Sequence, residues 1–201
     1  MEDHEITFCG FPRTPHLLRV PELKGREGEH FLSDEDRASL LSGRLRIEEK
    51  CDGSNTAISF DLDGVMHFQG REKFISERKQ THEQYHRMFN WWWERRDLAW
   101  ELLGPTKLVY GEWMYAKHTL KYTQLPDWFL GFDVFERDDP TSAEGHFWSQ
   151  PRRDDLFSEL GLSHVPEMVE GEFADAEALI HYARDIAHGQ SFLGCPEREG
   201  V

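Results

Sequence analysis

The sequence predicts an α+β fold, with mostly antiparallel strands forming sheets and helices packed outside them. Three observations carry this. Asp63-Gly64 is a hairpin signal between two strand-like runs, Thr56 to Phe60 and Val65 to Gln69, and a hairpin pairs its strands antiparallel. KLVYGEWM (107–114) and WFLGFDVFE (128–136) read as two further buried strands. Apolar residues spaced by three and four mark helices within 81–103 and 176–187.

Taken in order, the first thirty residues carry FPRTPHL (11–17), two prolines around a basic and an imidazole side chain with no helical period, which predicts an extended arm. Ser33, Asp34, Glu35 and Asp36 supply a cap and an acidic first turn, so a helix starts there, with Ala38, Leu40 and Leu41 as its short apolar face before Gly43. Arg44 to Lys50 reads as a short strand with Leu45 and Ile47 on one face, stopped by the turn residues Asp52-Gly53. With Asp63-Gly64 as a two-residue loop, Leu62 pairs with Val65 and Thr56 with Arg71, which returns Arg71 to within a residue of that turn. Thr81 to Leu103 reads as one helix burying Tyr85, Met88, Phe89, Trp92, Ala99 and Leu103. Consecutive residues point around a helix, so Trp91, Trp92 and Trp93 read as packing rather than as a stacking platform. Gly104-Pro105 ends this helix, and the 107–114 strand is interrupted at Gly111. Ser149-Gln150-Pro151 opens a helix that Gly161 closes, Val165 to Phe173 holds a strand and a turn, and Ala176 to Ala187 forms the last helix before Gly189.

A chain of 201 residues, 38% apolar and 13% aromatic, sustains one good core, and we expect a single domain over 1–201. Its apolar stretches are too short to span a bilayer, and MEDHEITF has neither a basic start nor an apolar run, so a cytoplasmic protein with no membrane partner is expected. Cys9, Cys51 and Cys195 form no C-x-x-C pair and read as free thiols rather than a disulfide or a zinc site. The net charge of -15 weighs against wholesale nucleic-acid binding, because phosphate contacts need cations. Local distribution matters more. Arg71, Lys73, Arg78 and Lys79, then Lys107, Lys117 and Lys121, flank the segments that carry the chemistry.

That chemistry concentrates in EEKCDGSN (48–55). Lys50 stands at the lip of a strand, beside a glycine that lets a ligand approach the backbone, and an amine so placed suits covalent catalysis on a phosphate once it has shed its proton. By composition, K-x-D-G-x-N would arise by chance in roughly one chain in five hundred of this length, which lifts it above noise. Glu112 is the second point of interest, since a carboxylate inside VYGEW is costly to bury unless it is paired, for instance with Lys117, or meets a ligand.

K-x-D-G-x-N resembles the nucleotidyl-acceptor motif of covalent nucleotidyltransferases, in the form found in ATP-dependent RNA ligases. The resemblance continues in order along the chain. GREKFI (70–75) matches the segment that sets an arginine against the nucleotide, VYGEW the strand whose glutamate binds the ribose, WFLGFDVF the strand whose aromatic stacks on adenine, and Glu199-Gly200-Val201 the pair whose glutamate reaches a metal. It implies an adenylation domain of the nucleotidyltransferase, ATP-grasp-like kind, whose antiparallel sheets form a nucleotide cleft. Lys50 would be the nucleophile, Glu49, Asp52, Gly53, Asn55, Arg71, Glu112 and Phe132 would bind nucleotide, and Glu199 would bind metal. ATP and magnesium, or manganese, would be the cofactors and RNA ends the partners. Similar arms in some RNA ligases place Arg13 and His16 near phosphate, beside the alternative of a purely structural arm. The family continues into a strand with paired lysines that contact the triphosphate, and this sequence stops before it, so a C-terminal segment or a partner chain is expected to supply that motif. Two other readings stay open: a DNA ligase or RNA-capping guanylyltransferase, which would share Lys50, Asp52 and Gly53, and a nucleotide-binding or interaction module that lacks the full chemistry.

Overall fold

The computed structural model describes residues 6–17, 30–76 and 82–201; Arg78, Lys79 and Thr81 lie outside them. The elements run α1 (Asp34–Leu41), β1 (Leu45–Glu48), β2 (Ser54–Phe60), β3 (Met66–Gln69), β4 (Phe74–Ile75), α2 (Glu83–Trp93), α3 (Arg96–Leu103), β5 (Lys107–Trp113), β6 (Phe129–Arg137), β7 (Gly145–Phe147), α4 (Gln150–Leu160), β8 (Ser163–His164), β9 (Glu167–Gly171) and α5 (Ala176–Ala187). The chain forms two compact units. One comprises the residues up to Phe11 together with Cys51–Val165, and the other Pro12–Lys50 together with Pro166–Val201.

The first unit is built on a sheet of order β4-β3-β2-β5-β6-β7, with β8 also paired to β6. The pairing is antiparallel throughout except for β6 with β8. The α+β, mainly antiparallel expectation holds. Because side chains alternate along a strand, the sheet has two distinct faces. On one, Ile58, Phe60, Val109, Trp113, Phe129 and Val134 pack against Met88, Phe89, Trp92, Ala99 and Leu103 from α2 and α3 and Leu156, Phe157 and Leu160 from α4. Each Val, Leu, Ile, Phe or Met side chain among them, where fully buried, contributes about 1.5–3 kcal/mol. On the other face, Ala57, Leu108, Tyr110 and Phe135 form a smaller cluster with Cys9, Phe11 and Phe132. The arm residues are fastened there by Arg137, whose buried guanidinium donates to the carbonyls of Thr7 (3.0 Å), Pro140 (3.0 Å) and Pro105 (3.3 Å).

Four local expectations are corrected. The hairpin register is Ala57 opposite Gln69 and Phe60 opposite Met66, one residue away from the predicted pairing. Its loop is longer than Asp63-Gly64: the Gly64 N–H donates to the Asp61 carbonyl (3.1 Å) and the Asp61 N–H to the Val65 carbonyl (3.1 Å), with Gly64 at φ 71°. This is a type I turn closed by a left-handed glycine, which adds one residue to the loop and so moves the register. The 81–103 helix is two helices, α2 and α3, parted at Arg95 (φ -109°, ψ 1°). The Arg95 guanidinium lies 3.7 Å from the Trp91 ring and donates to the Trp91 carbonyl (2.8 Å), capping α2 from the side. Strand β5 runs uninterrupted through Gly111. There the glycine serves close packing, since a Cβ would collide with the Phe129 ring and lie 2.7 Å from the Leu130 carbonyl oxygen. Finally, α1 is capped as expected, with the Asp36 N–H donating to Ser33 Oγ (3.1 Å), but buries none of its residues, and Leu40 remains 42% exposed.

In the second unit β1 pairs antiparallel with β9, Ile47 opposite Val169, and Ile47 is buried. Arg46 to Glu167 (3.0 Å) and Arg44 to Glu170 (3.1 Å) are ion pairs across this ladder. Helix α5 starts at Asp175, which accepts from the Ala178 N–H (2.8 Å), and buries Leu179. Among the described residues no helix is long and apolar enough to cross a membrane.

Candidate active site

The segment EEKCDGSN straddles the two units: Glu49 and Lys50 belong to the second and Cys51 opens the first. In the second unit the backbone past β1 stays extended, with the Glu49 N–H donating to the Pro166 carbonyl (2.8 Å) and the Lys50 N–H to the Gly200 carbonyl (3.0 Å). The Lys50–Gly200 bridge is antiparallel. It sets Lys50 Nζ in an ion pair with Glu199 Oε1, the Lys50 side chain remaining 59% exposed. Alternation sends the preceding Glu49 inward, to 2% exposure. Glu49 Oε1 accepts from Ser191 Oγ, Oε2 accepts from the Phe192 N–H (2.9 Å), and Arg198 Nε stands 3.9 Å away. Glu49 therefore anchors the 191–198 segment that leads into Glu199. Arg13 is exposed, and His16 forms backbone bonds to His30 (2.8 Å) and Leu32 (3.0 Å).

In the first unit Asn55 lies directly opposite Glu112 in the β2–β5 ladder. Gly53 joins them, since a Cβ at Gly53 would sit 2.6 Å from Met114 Sδ, 3.0 Å from the Trp113 carbonyl and 3.2 Å from Glu112 Oε2. Only glycine leaves this space. Phe132 is the extra residue of a bulge, because Tyr110 pairs with Asp133 and Gly111 with Gly131. That insertion gives Phe132 the face of Tyr110 and Phe11, whose rings lie 6.5 and 5.1 Å away. Asn55, Glu112, Tyr110 and Phe132 thus share the sheet face turned away from α2 and α3. Arg71 stands exposed in the turn where the Gly70 N–H donates to the Lys73 carbonyl (2.9 Å), and Lys117 makes no ion pair among the described residues.

Asp52 is committed elsewhere in the same unit. Its Oδ2 accepts from the N–H groups of Thr119 (2.6 Å) and Leu120 (2.8 Å), and its own N–H donates to Tyr122 Oη (2.8 Å). Ser54 Oγ adds a bond to His118 Nε2 (3.2 Å). The sequence reading missed Tyr122, His118 and the loop they belong to. A signal was there to read: no Asp or Glu occurs between Glu112 and Asp127 in a chain with 38 of them.

Burial pushes the Cys9 thiol up, against the pull of the neighbouring Arg137, and so leaves it an inert packing group. Burial also raises the Tyr110 hydroxyl, which stays protonated and donates to the Cys9 carbonyl (2.5 Å). Neither competes with Lys50 as a nucleophile.

The same fold occurs in Naegleria gruberi RNA ligase. A point mutant with ATP and Mn superposes with a TM-score of 0.59 at 19% identity, over 83% of this chain and 48% of that one. The ligase with PPi gives 0.57 at 20% identity, over 83% and 47%. Another mutant, with AMP and Mn, gives 0.56 at 20% identity, over 83% and 47%. The chain spans about half the length of these ligases. The sequence profile of the RNA ligase family matches residues 43–201, and the chain belongs to that family. No curated protein sequence matches it.

Proposed function

We propose that this chain carries the nucleotidyl-transfer chemistry of an ATP-dependent RNA ligase. The observation that carries the reading is the meeting of Lys50 with Glu199: the two motif ends, far apart in sequence, are joined by a backbone bridge that sets a strand-borne amine beside a carboxylate. Lys50 Nζ, once neutral, attacks the α-phosphorus of ATP; an N–P bond forms, the bond to the bridging oxygen breaks, and pyrophosphate leaves. An RNA 5'-phosphate oxygen then takes the AMP, breaking the N–P bond. A 3'-hydroxyl attacks that 5'-phosphate, expels AMP and seals the strand. Gly53, Asn55, Glu112 and Phe132 suit the nucleotide, offering close backbone approach, two hydrogen-bonding side chains and a ring on one sheet face. Membership of the family and the fold shared with ligases solved with ATP and AMP support this reading.

A divalent cation fits the residues present. Glu199 is a hard oxygen donor at the lysine, and no group of three His, Cys, Asp or Glu side chains gathers among the described residues. That suits an ion which keeps waters and substrate phosphates as most of its ligands and takes one or two carboxylates from protein, as magnesium does. When bound, it would neutralise phosphate charge during the attack. Glu199 has a second consequence of its own. In the ion pair the Lys50 amine is turned toward this carboxylate, so it must leave Glu199 before it can reach a phosphorus.

Incubation with α-labelled ATP and magnesium is expected to label the protein, and Lys50→Ala to abolish the label. Labelling from GTP instead would favour the guanylyltransferase reading. Equal labelling of the Lys50→Ala variant would remove the assignment.

A further inference from the structure

We infer that the loop joining β5 to β6, residues 114–128, is a docking surface for a single strand of RNA; this rests on the ligase reading above. The first support is charge. In a protein of net charge -15, the acid-free stretch 113–126 exposes Lys117, His118 and Lys121, and among the described residues neither lysine makes an ion pair. The acid that ends the stretch is already occupied. Asp127 Oδ1 accepts from Trp91 Nε1 (2.9 Å) and from the Trp128 N–H (2.6 Å), with Arg95 at 3.9 Å.

The second support is aromatic. Tyr115 and Trp128, at the two ends of the loop, pack edge to face with centroids 5.0 Å apart, and Trp128 stays 42% exposed. The Arg87 guanidinium stands 6.0 Å from the centroid of the Tyr115 ring. Rings beside unpaired cations are what a single strand requires, since its bases stack on the rings while its phosphates take the cations. Both rings rest on the buried Trp113, with centroids 6.2 Å (Tyr115) and 6.1 Å (Trp128) away, which fixes them at the two ends of the loop.

The third support is that the loop is held. A segment of this length without helix or strand is uncommon and usually functional. Here Asp52 takes the N–H groups of Thr119 and Leu120, Tyr122 takes the Asp52 N–H, and His118 meets Ser54. A loop ordered before binding loses less entropy on binding. Asp52 acts here as a positioning residue, working through the loop.

Binding of a 5'-phosphorylated single-stranded RNA to the full chain, followed by fluorescence anisotropy across a salt series, tests the surface. The double variant Lys117→Ala/Lys121→Ala should lower the salt slope by about 1.4, at about 0.7 per phosphate contact on a single strand. Tyr115→Ala should weaken binding about fivefold or more. Both should form the lysyl-AMP adduct as the unaltered chain does, because they lie outside the adenylylation residues. An unchanged affinity and slope in the lysine variant, which alters only exposed side chains, would overturn the inference, as would failure of the unaltered chain to bind RNA. So would equal loss by Tyr115→Ala of heparin binding, which involves no bases. If RNA binds and depends on these residues but no adduct forms, the surface stands and the ligase reading fails.

Discussion

Glu49 and Lys50 are neighbours with opposite fates, and the alternation of an extended backbone is the reason. The carboxylate is buried among Ser191, Phe192 and Arg198, and the amine is exposed beside Glu199. Glu49→Ala would leave the Ser191 hydroxyl and the Phe192 N–H without their acceptor, at about 1–3 kcal/mol for each group so stranded. The expected result is a drop in thermal stability, read by calorimetry, with slower adduct formation because the segment carrying Glu199 loses its anchor. Asp52→Ala acts differently. It frees two N–H groups, so the amides of Thr119 and Leu120 should exchange with deuterium much faster than in the unaltered chain, and unchanged exchange would show that another group holds the loop.

Within single elements, backbone detail decides what side chains can do. Burial would raise the Asp61 carboxyl, but the bond from His67 Nε2 and the N–H groups of Val65 and Asp63 outweigh it and hold the group below its ordinary value. The hairpin therefore gains stability from ionised Asp61 that is fully present above the unfolded value of 3.8 and lost as pH falls through the lower folded value. Replacing Asp61 with Asn should flatten this acid-side part of the stability profile, measured by urea unfolding between pH 5 and 2, roughly the range over which a paired carboxylate titrates. Strand β5 makes a separate demand. Gly111→Ala would drive a methyl into the Phe129 ring and cost about 1–3 kcal/mol by overpacking, visible as a lower unfolding midpoint.

Across the molecule the two units differ in how much they bury. The first has a large aromatic core on the helix face of its sheet, with Trp92, Trp113, Phe60 and Phe129 inaccessible to solvent. Among the described residues of the second, Ile47, Leu179, Leu193 and Cys195 are the buried apolar side chains, joined by the polar Glu49 and Ser191. Local opening is easiest where few apolar contacts hold. Hydrogen exchange should thus be slowest in β2 and β5 and faster in β1 and α5, and equal protection would mean that the second unit draws on stabilisation beyond its own core. The charge is as uneven as the core: a total of -15 coexists with the acid-free 113–126 stretch, so the sum alone misjudges what this protein can bind.

Local chemistry was legible in the sequence. The Ser33 cap, the Gly161 stop at φ 65°, the strands around KLVYGEWM and WFLGFDVFE, and the motif at Lys50 depend on residues within a few positions of one another, where propensity and turn geometry act. Long-range outcomes were not. The bulge that turns Phe132 toward Tyr110 depends on how β6 pairs with β5, whereas the hairpin shift at Gly64 and the break at Arg95 are local features that the sequence reading misjudged. The commitments of Glu49 and Asp52 are long-range, like the bulge. Their carboxylates are satisfied by Ser191 and Phe192 in one case and by Thr119 and Leu120 in the other, partners far along the chain. A sequence states that a carboxylate needs hydrogen-bond donors. Which donors reach it is decided by the close packing of the folded chain, because only there do distant backbone groups come within 3 Å, the range at which such a bond has its strength.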